Sequence, residues 1–520
     1  MVAICSLIAT VGLGVLAYQW LKRPPDVSNP SVEFVAEEPV KKKKRKPKDL
    51  TVNWPTYGYD AARTKAFPTG VVRPPFAGSD WSFQAGKLLE FSPIIVDDVL
   101  YVQDIDARVY AIDAKTGKLK WKKRIGRLNA SAPAYHDGRL FLVNLDPGQV
   151  VAMRARDGKV IWRKSLPGRS ESSPLVWKGK LVIFGCECGS VYAMSTKDGS
   201  LVWEVKTAGA VKGALAFGKG KVFGGNYAGE YFAIDVKTGK VRWKREAIGG
   251  SFGRGGGIYS TPAVAYGRVY FGSIDSRVYS VDMDTGEIAW SFSTGAEVYS
   301  GPAVADVKGA PPTVYIGSID HHFYALDAKT GKLRWKQHAG GQVSGAPSVI
   351  GDVVYVGVIG PDQGTIGYRA KDGKVVFKHE QGEYNPAITD GRRLYLTGYS
   401  TIRAFTNKGL KRRLKRRERA ERERRRAARR AAREAGELPP ASADAEVRPS
   451  PRTRAAQRRA AQRAQRQRAA HRRAQRAQRQ RARRQALRRK RARRVAQRRA
   501  QAKRRAAKRQ KRTSAGRRGN

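Results

Sequence analysis

The sequence predicts an all-β chain: an eight-bladed β-propeller of four-stranded blades, preceded by a transmembrane helix and followed by a disordered or transiently helical basic tail. Three observations carry the propeller. An aromatic residue recurs at Trp81, Trp121, Trp162, Trp203, Trp243, Trp290, Trp335 and Phe377, at spacings of 40, 41, 41, 40, 47, 45 and 42 residues. A small residue followed by proline recurs at Pro93, Pro133, Pro174, Pro262, Pro302, Pro347 and Pro386, with Leu215 holding the place once. Each unit of about forty residues has room for four short strands, which is the size of a propeller blade.

Within a unit the elements follow in order. The first strand starts at the proline ("SPIIV", "TPAVA", "GPAVA"), where the missing N–H breaks no ladder. The second and third are rich in Val, Tyr, Ile and Phe, as in "VYFGSI" and "VYSVDM". The fourth carries the aromatic, as in "LKWKK". Between third and fourth lie "KTGK" or "RDGK" turns, in which Gly supplies a positive φ. The ends of the repeat are out of phase. Trp81 precedes the first proline, and Pro386 follows the last aromatic. The unit 386–409 therefore lacks a fourth strand, and residues 79–86, "SDWSFQAG", supply it. Closure from both ends buries sheet edges and sets the propeller at 51–410.

The phrase A-x-D-x-x-T-G-K-x-x-W, seen at Ala111–Trp121, Ala233–Trp243 and Ala325–Trp335, resembles the tryptophan-docking repeat of pyrroloquinoline-quinone-type propellers. "NWPTYGYDAARTKAF" at 53–67 resembles that superfamily's lead-in segment. The resemblance spans about residues 50–410. It implies that each docking aromatic wedges between neighbouring blades and packs on the next blade's turn. It also implies two alternative functions. Quinoprotein dehydrogenases hold quinone and calcium at the axis. The eight-bladed lipoprotein of the outer-membrane barrel assembly machinery is non-catalytic. The compact units and the non-adjacent Cys186 and Cys188 favour the second branch, so no catalytic, cofactor-binding or metal-ligating residue is assigned. Pyrroloquinoline quinone and calcium are expected only under the dehydrogenase alternative.

Function is expected where the units differ. Cys186 and Cys188 read as two small residues at a strand end and turn. His321 and His322 fall in the turn between second and third strands of their unit. "GGSFGRGGG" (249–257) is a connection between blades that accounts for the 47-residue spacing. Such turns and connections emerge on one face, so Arg254, His321, His322, Cys188 and Asp362 (in "GPDQG") form the candidate rim for a protein partner. The uniform "TGK" hairpins occupy the other face.

The terminal segments carry the rest. Residues 2–21 are uncharged and mostly apolar, the length of a membrane-spanning helix, with Tyr18 and Trp20 at the interfacial end. A cleavable signal is the competing reading. Lys22, Arg23 and "KKKKRK" (41–46) follow, which by the positive-inside rule favours a cytoplasmic propeller; the family resemblance implies an extracytoplasmic one. Residues 22–50 read as a basic flexible tether. The chain carries a net charge of +58, and from Lys411 onward 46 Lys and Arg face 7 Asp and Glu. Residues 411–434 read as a charged helix, and 435–520 as an Arg/Ala/Gln-rich tail without an apolar stripe to dock it. Arg458, Arg459, Arg488, Arg489, Lys490, Arg493 and Arg494 represent its polyanion-binding charge, directed at nucleic acid, anionic lipid or an acidic envelope polymer. Without aromatics, any nucleic-acid contact is sequence-blind and salt-dependent. Three cysteines exclude a disulfide-rich scaffold.

Overall fold

The computed structural model describes residues 24–36, 53–68, 72–249, 256–360 and 364–435. The first blade is an antiparallel sheet of β3 (Ile94–Val96), β4 (Val99–Gln103), β5 (Arg108–Asp113) and β6 (Leu119–Arg124), in sequence order. Six more sheets repeat this order, with innermost strands at Ala134–His136, Leu175–Trp177, Ala216–Gly218, Ala263–Ala265, Ala303–Val307 and Ser348–Ile350. The eighth sheet is mixed in origin. Its inner three strands are β31 (Ile388–Thr389), β32 (Arg393–Thr397) and β33 (Thr401–Asn407), and its outermost is β2 (Phe76–Gln84). The closing strand thus begins earlier than the aromatic register indicates. It is bulged between Phe76 and Trp81, which leaves Trp81 opposite Ala404.

The repeated turn has a local cause. Asp113 Oδ1 accepts from the N–H of Thr116 at 2.8 Å and from its hydroxyl at 2.7 Å, and Asp235, Asp282 and Asp327 accept the same backbone bond. Gly117 then adopts φ +70°. The turn in turn receives the preceding blade's aromatic. Trp81 Nε1 donates to Ala114 O at 3.1 Å, Trp121 to Ala155 O at 2.9 Å, Trp162 to Thr196 O and Trp203 to Val236 O at 3.1 Å. Trp243 donates to Met283 O at 3.2 Å, Trp290 to Ala328 O at 3.1 Å and Trp335 to Ala370 O at 3.0 Å. Each ring lies against the turn glycine. A Cβ on Gly117 would sit 2.5 Å from Trp81. Gly117→Val is therefore expected to cost about 1–3 kcal/mol through overpacking, with further cost from its positive φ; a urea midpoint equal to the parent's would contradict this.

Phe377 is the exception, and the topology explains it. It faces the eighth blade, whose outer strand comes from the other end of the chain. That blade has no third-to-fourth turn to offer a carbonyl. Phe377 instead packs edge-on with Phe76 and Phe405, and no indole N–H is required there.

Residues 24–36 depart from the tether reading. They lie along the outer strand of the fifth blade, β22 (Ile288–Ser293). Asn29 N donates to Ala289 O at 2.7 Å, Ser291 N to Val27 O at 3.0 Å, and Ser28 bridges Trp290. Arg268 donates to Val32 O at 2.7 Å and Glu33 O at 3.1 Å, and its guanidinium stacks over Phe34. Buried Arg277 faces Asp26 at 3.5 Å. Composition alone could not show this, because the binding surface is a strand edge elsewhere in the chain. The remainder of 22–50 and the apolar run 2–21 lie outside the described residues. Among the described residues no helix is long and apolar enough to cross a membrane.

A helix, α1 (Lys408–Glu434), follows β33. Asn407 Oδ1 accepts from Gly409 N at 2.9 Å and Leu410 N at 3.2 Å, an N-cap arrangement. Further along, Arg419–Glu423 and Arg425–Glu421 pair at 2.9 and 2.6 Å with i,i+4 spacing. The tail arginines Arg458, Arg459, Arg488, Arg489, Arg493 and Arg494, and Lys490, lie outside the described residues.

Candidate functional site at the axial mouth

The lead-in segment fills the ring's axis. Trp54 exchanges backbone hydrogen bonds with Ile95, and Pro55 O accepts from Tyr135 N. The carbonyls of Ala61, Ala62, Thr64 and Lys65 accept from Phe217, Val264, Val304 and Val349. The segment thereby bonds to innermost strands of six blades, and β1 (Ala66–Phe67) adds a parallel fifth strand to the seventh sheet. Two fully buried cations complete the plug. Arg63 donates to Leu215 O at 3.0 Å, Ser173 O at 3.2 Å, Pro174 O at 3.1 Å, Thr56 Oγ1 at 2.7 Å, and also to Tyr57 O. Lys65 Nζ donates to Pro302 O at 2.9 Å and Arg63 O at 3.1 Å. Positive charge here answers inward carbonyls, not carboxylates.

Burial and the nearby Arg63 push the Lys65 ammonium down to about 7. An unfolded lysine keeps its proton up to about 10.4. Between those values the unfolded chain binds more protons, so stability rises with pH through that window, and the charging penalty is fully present below it. Above about pH 10 the buried tyrosines, Tyr57 among them at about 12, reverse the trend as unfolded phenols ionise. Lys65→Met should abolish the rise between pH 7 and 10. Urea titrations of both proteins across that range check it; a constant difference between them would contradict it.

Beyond the plug, where the innermost strands begin, a cavity of about 240 Å³ opens on the axis with Tyr57 at its base. Its wall comes largely from one repeat position, three residues before the proline register: Glu90, Glu171, Lys212, Tyr259, Tyr299 and Ser344. The next positions are mostly small and tie blade to blade. Ser172 Oγ donates to Gly213 O at 3.0 Å, Ser260 Oγ to Ser300 O and Ser300 Oγ to Gly345 O at 2.9 Å.

Lys212 Nζ lies 3.0 Å from Glu171 and 3.4 Å from Glu187. Burial disfavours its charge, but the two carboxylates outweigh that and hold its pKa up. Tyr259 Oη donates to Glu171 Oε2 at 3.2 Å; burial and that carboxylate push the phenol far above its ordinary range, so it stays a neutral donor. Tyr227, Tyr259 and Tyr299 stack edge-to-face at 6.1 and 6.0 Å. Burial and the neighbouring Glu171 raise the Glu90 carboxyl.

Three of the candidate rim residues lie at second-to-third-strand junctions, Cys188 and His321 in the turns and His322 as the first residue of the strand His322–Asp327. Cys186 ends a strand and Cys188 lies in the turn, as the sequence reading has them, and the two are joined in a disulfide that reading did not include. His321 has φ +69°, and His322 Nδ1 lies 2.8 Å from Asp320 O. These turns rest on the blade connections: Glu187 N donates to Arg169 O, and Val211 N to Cys186 O. They share the face of the mouth, which also carries Glu187. None of the three lines the cavity. Arg254 and Asp362 lie outside the described residues. The mouth residues themselves were missed, though their signal is in the sequence. Reading three places before each position of the proline register gives Glu, Ala, Glu, Lys, Tyr, Tyr, Ser and Glu, a column in which charged and aromatic side chains gather.

The family described as outer membrane protein assembly factor BamB matches residues 78–292 and 301–409. The chain belongs to that family. BamB from Moraxella catarrhalis superposes with a TM-score of 0.52 at 20% identity, covering 64% of this chain and 97% of that one. A quinohemoprotein alcohol dehydrogenase from Pseudomonas putida HK5 superposes with a TM-score of 0.57 at 14% identity, covering 69% of this chain and 80% of that one. At such identities these matches show the fold that the BamB family shares with dehydrogenases. In sequence, 109 residues are 34% identical to the 1-butanol dehydrogenase (cytochrome c) of Thauera butanivorans, 18% of this chain and 16% of that enzyme. The chain therefore spans under a fifth of that relative.

The axial residues of this BamB-family chain are engaged with one another. Glu171 is already paired with Lys212, the Cys186–Cys188 disulfide is not among the residues lining the cavity, and the described residues contain no group of three His, Cys, Asp or Glu placed to hold a metal.

Proposed function

We propose that this protein is a membrane-anchored, non-catalytic scaffold that binds a protein partner through the rim bearing the axial mouth, while its polybasic tail attaches to a polyanionic surface. The observation that carries the reading is chemical. A column of the repeat that mixes carboxylates, an ammonium and phenols builds the mouth, and its carboxylate and ammonium are spent on each other at 3.0 Å rather than held open for a cofactor. BamB, named as an outer membrane protein assembly factor, gives the precedent of a propeller that serves an assembly. In this reading residues 2–21 supply the anchor, and the propeller lies outside the cytoplasm, following the family resemblance against the flanking positive charge.

Photo-crosslinking in intact cells tests this. A crosslinker at Tyr384 or His321 should give a discrete protein adduct, and one at Lys118 on the "TGK" rim should not. The reverse pattern would overturn the assignment. The tail is tested separately: removal of residues 436–520 should flatten the salt dependence of binding to anionic vesicles or DNA. The dehydrogenase reading, favoured only by the short butanol-dehydrogenase match, requires dye-coupled alcohol oxidation after addition of quinone and calcium.

A further inference from the structure

We infer that the axial mouth is a socket for an organic cation, the guanidinium or ammonium head of an arginine or lysine side chain that the protein partner inserts along the propeller axis. The inference rests on the partner reading above and specifies its chemistry.

The charge at the mouth opposes that of the whole molecule. In a chain of net charge +58, the mouth gathers Glu90, Glu171 and Glu187 around one ammonium. Lys212 serves Glu171 and Glu187, at 3.0 and 3.4 Å. Glu90 is left with no ion pair or hydrogen bond among the described residues, in a half-buried position where a carboxylate is costly without a partner.

A second acceptor points to the same ligand independently. Asn385, on the opposite side of the seam between the eighth and first blades, is only 4% exposed and lines the cavity. Its Nδ2 donates to Leu89 O at 2.9 Å, and its Oδ1 is buried without a donor. The amide orientation is fixed, since the flipped form would set Oδ1 against the Leu89 carbonyl. In the other seven units the corresponding residue is Ser, Ala, Thr or Gly. The eighth unit alone places an amide there, beside the unpaired Glu90. A group with several N–H donors and a positive charge satisfies both.

The walls fit the same class. Phe91, Tyr259, Tyr299 and Tyr384 present aromatic surface to the cavity, and a cation gains from such faces. The molecule shows this locally: Lys212 Nζ already sits 5.4 Å from the centre of the Tyr227 ring. A hard metal ion would instead seek six or more oxygen ligands. A cavity of about 240 Å³ admits a side-chain head and excludes a folded element, so the partner reaches it with an extended arm.

The test uses the full chain and a short blocked peptide, acetyl-Gly-Arg-Gly-amide, followed by calorimetry at low salt. Its citrulline counterpart keeps the shape and loses the charge. The arginine peptide should bind at least roughly tenfold more tightly than the citrulline peptide. Glu90→Gln should weaken it by roughly tenfold to a hundredfold, the range for one lost charge-assisted hydrogen bond. Ser344→Asp, which adds a carboxylate to the same ring, should strengthen it, a gain that a merely structural role for the ring would not produce. Equal binding of both peptides, an unchanged affinity in Glu90→Gln, or no binding to the full chain at millimolar peptide would each overturn the socket. No binding would do so whether the mouth takes no cation or the chain's own basic tail already fills it. The two proposals fail separately. Crosslinking confined to the "TGK" rim with peptide binding intact would remove the partner reading alone. A mouth-rim adduct that persists in Glu90→Lys would remove the socket alone.

Discussion

Arg63→Met is expected to lower the stability of this protein by about 3–5 kcal/mol, one of the two largest single-residue losses anticipated. The guanidinium is fully buried on the axis, where it donates to the carbonyls of Leu215, Ser173, Pro174 and Tyr57 and to the Thr56 hydroxyl. Its burial is itself unfavourable and brings its pKa down to about 10. The residue persists because its removal costs more. Methionine matches the stem but strands several buried acceptors, each worth roughly 1–3 kcal/mol when left without a donor. Water could reach only some of them. Arg63→Lys should fall between parent and Met variant, since one ammonium cannot span carbonyls on the third and fourth blades and the plug together. Urea denaturation followed by circular dichroism gives the order. A Met variant within about 1 kcal/mol of the parent would show that the plug is dispensable to the ring.

Trp290→Ala is expected to cost a similar amount, about 3–5 kcal/mol, and more than Trp121→Ala. Trp290 is 1% exposed. One side of it wedges onto Gly331 and donates to Ala328 O at 3.1 Å; its backbone is bridged by Ser28 of the strap 24–36. Its loss removes a blade junction and disturbs the strap's seat. Trp121 makes the same indole bond at 2.9 Å, but its strand is largely exposed, with no strap on it among the described residues. Trp290→Phe keeps most of the burial and gives up only the N–H bond, so about 1 kcal/mol is expected. Equal losses for Trp290→Ala and Trp121→Ala would mean that the strap adds nothing to that junction.

Much of the architecture is legible in the residues because each blade is specified locally. The Asp-to-Thr hydrogen bonds and the positive-φ glycine of the "DAKTGK" turn lie within five residues of one another. Alternation gives the strands, and the out-of-phase ends give the closure between β2 and β33. Phe377 was legible as an aromatic in register. That it needs no indole N–H was not, because its neighbour's missing turn is a consequence of ring closure. The strap 24–36 was misread for a related reason. Its polar, proline-containing sequence has no core of its own and becomes ordered only against the edge of β22.

The candidate site divides in the same way. Three residues before each proline, the sequence by itself writes Glu90, Glu171, Lys212, Tyr259, Tyr299 and Ser344 as isolated points about forty or more positions apart. The repeat, the blade count and the net charge were determined there, since they depend on periodicity and composition alone. Only the tertiary structure decided that these points meet on one axis, that Arg63 and Lys65 close the far side, and that Glu90 and the Asn385 Oδ1 are left unpaired in residues lining the cavity. The physical reason is that a closed ring turns one repeat position into a circle. Hydrogen bonds such as Lys212–Glu171 and Asn385–Leu89 join residues of different blades, and no property of a single blade contains them.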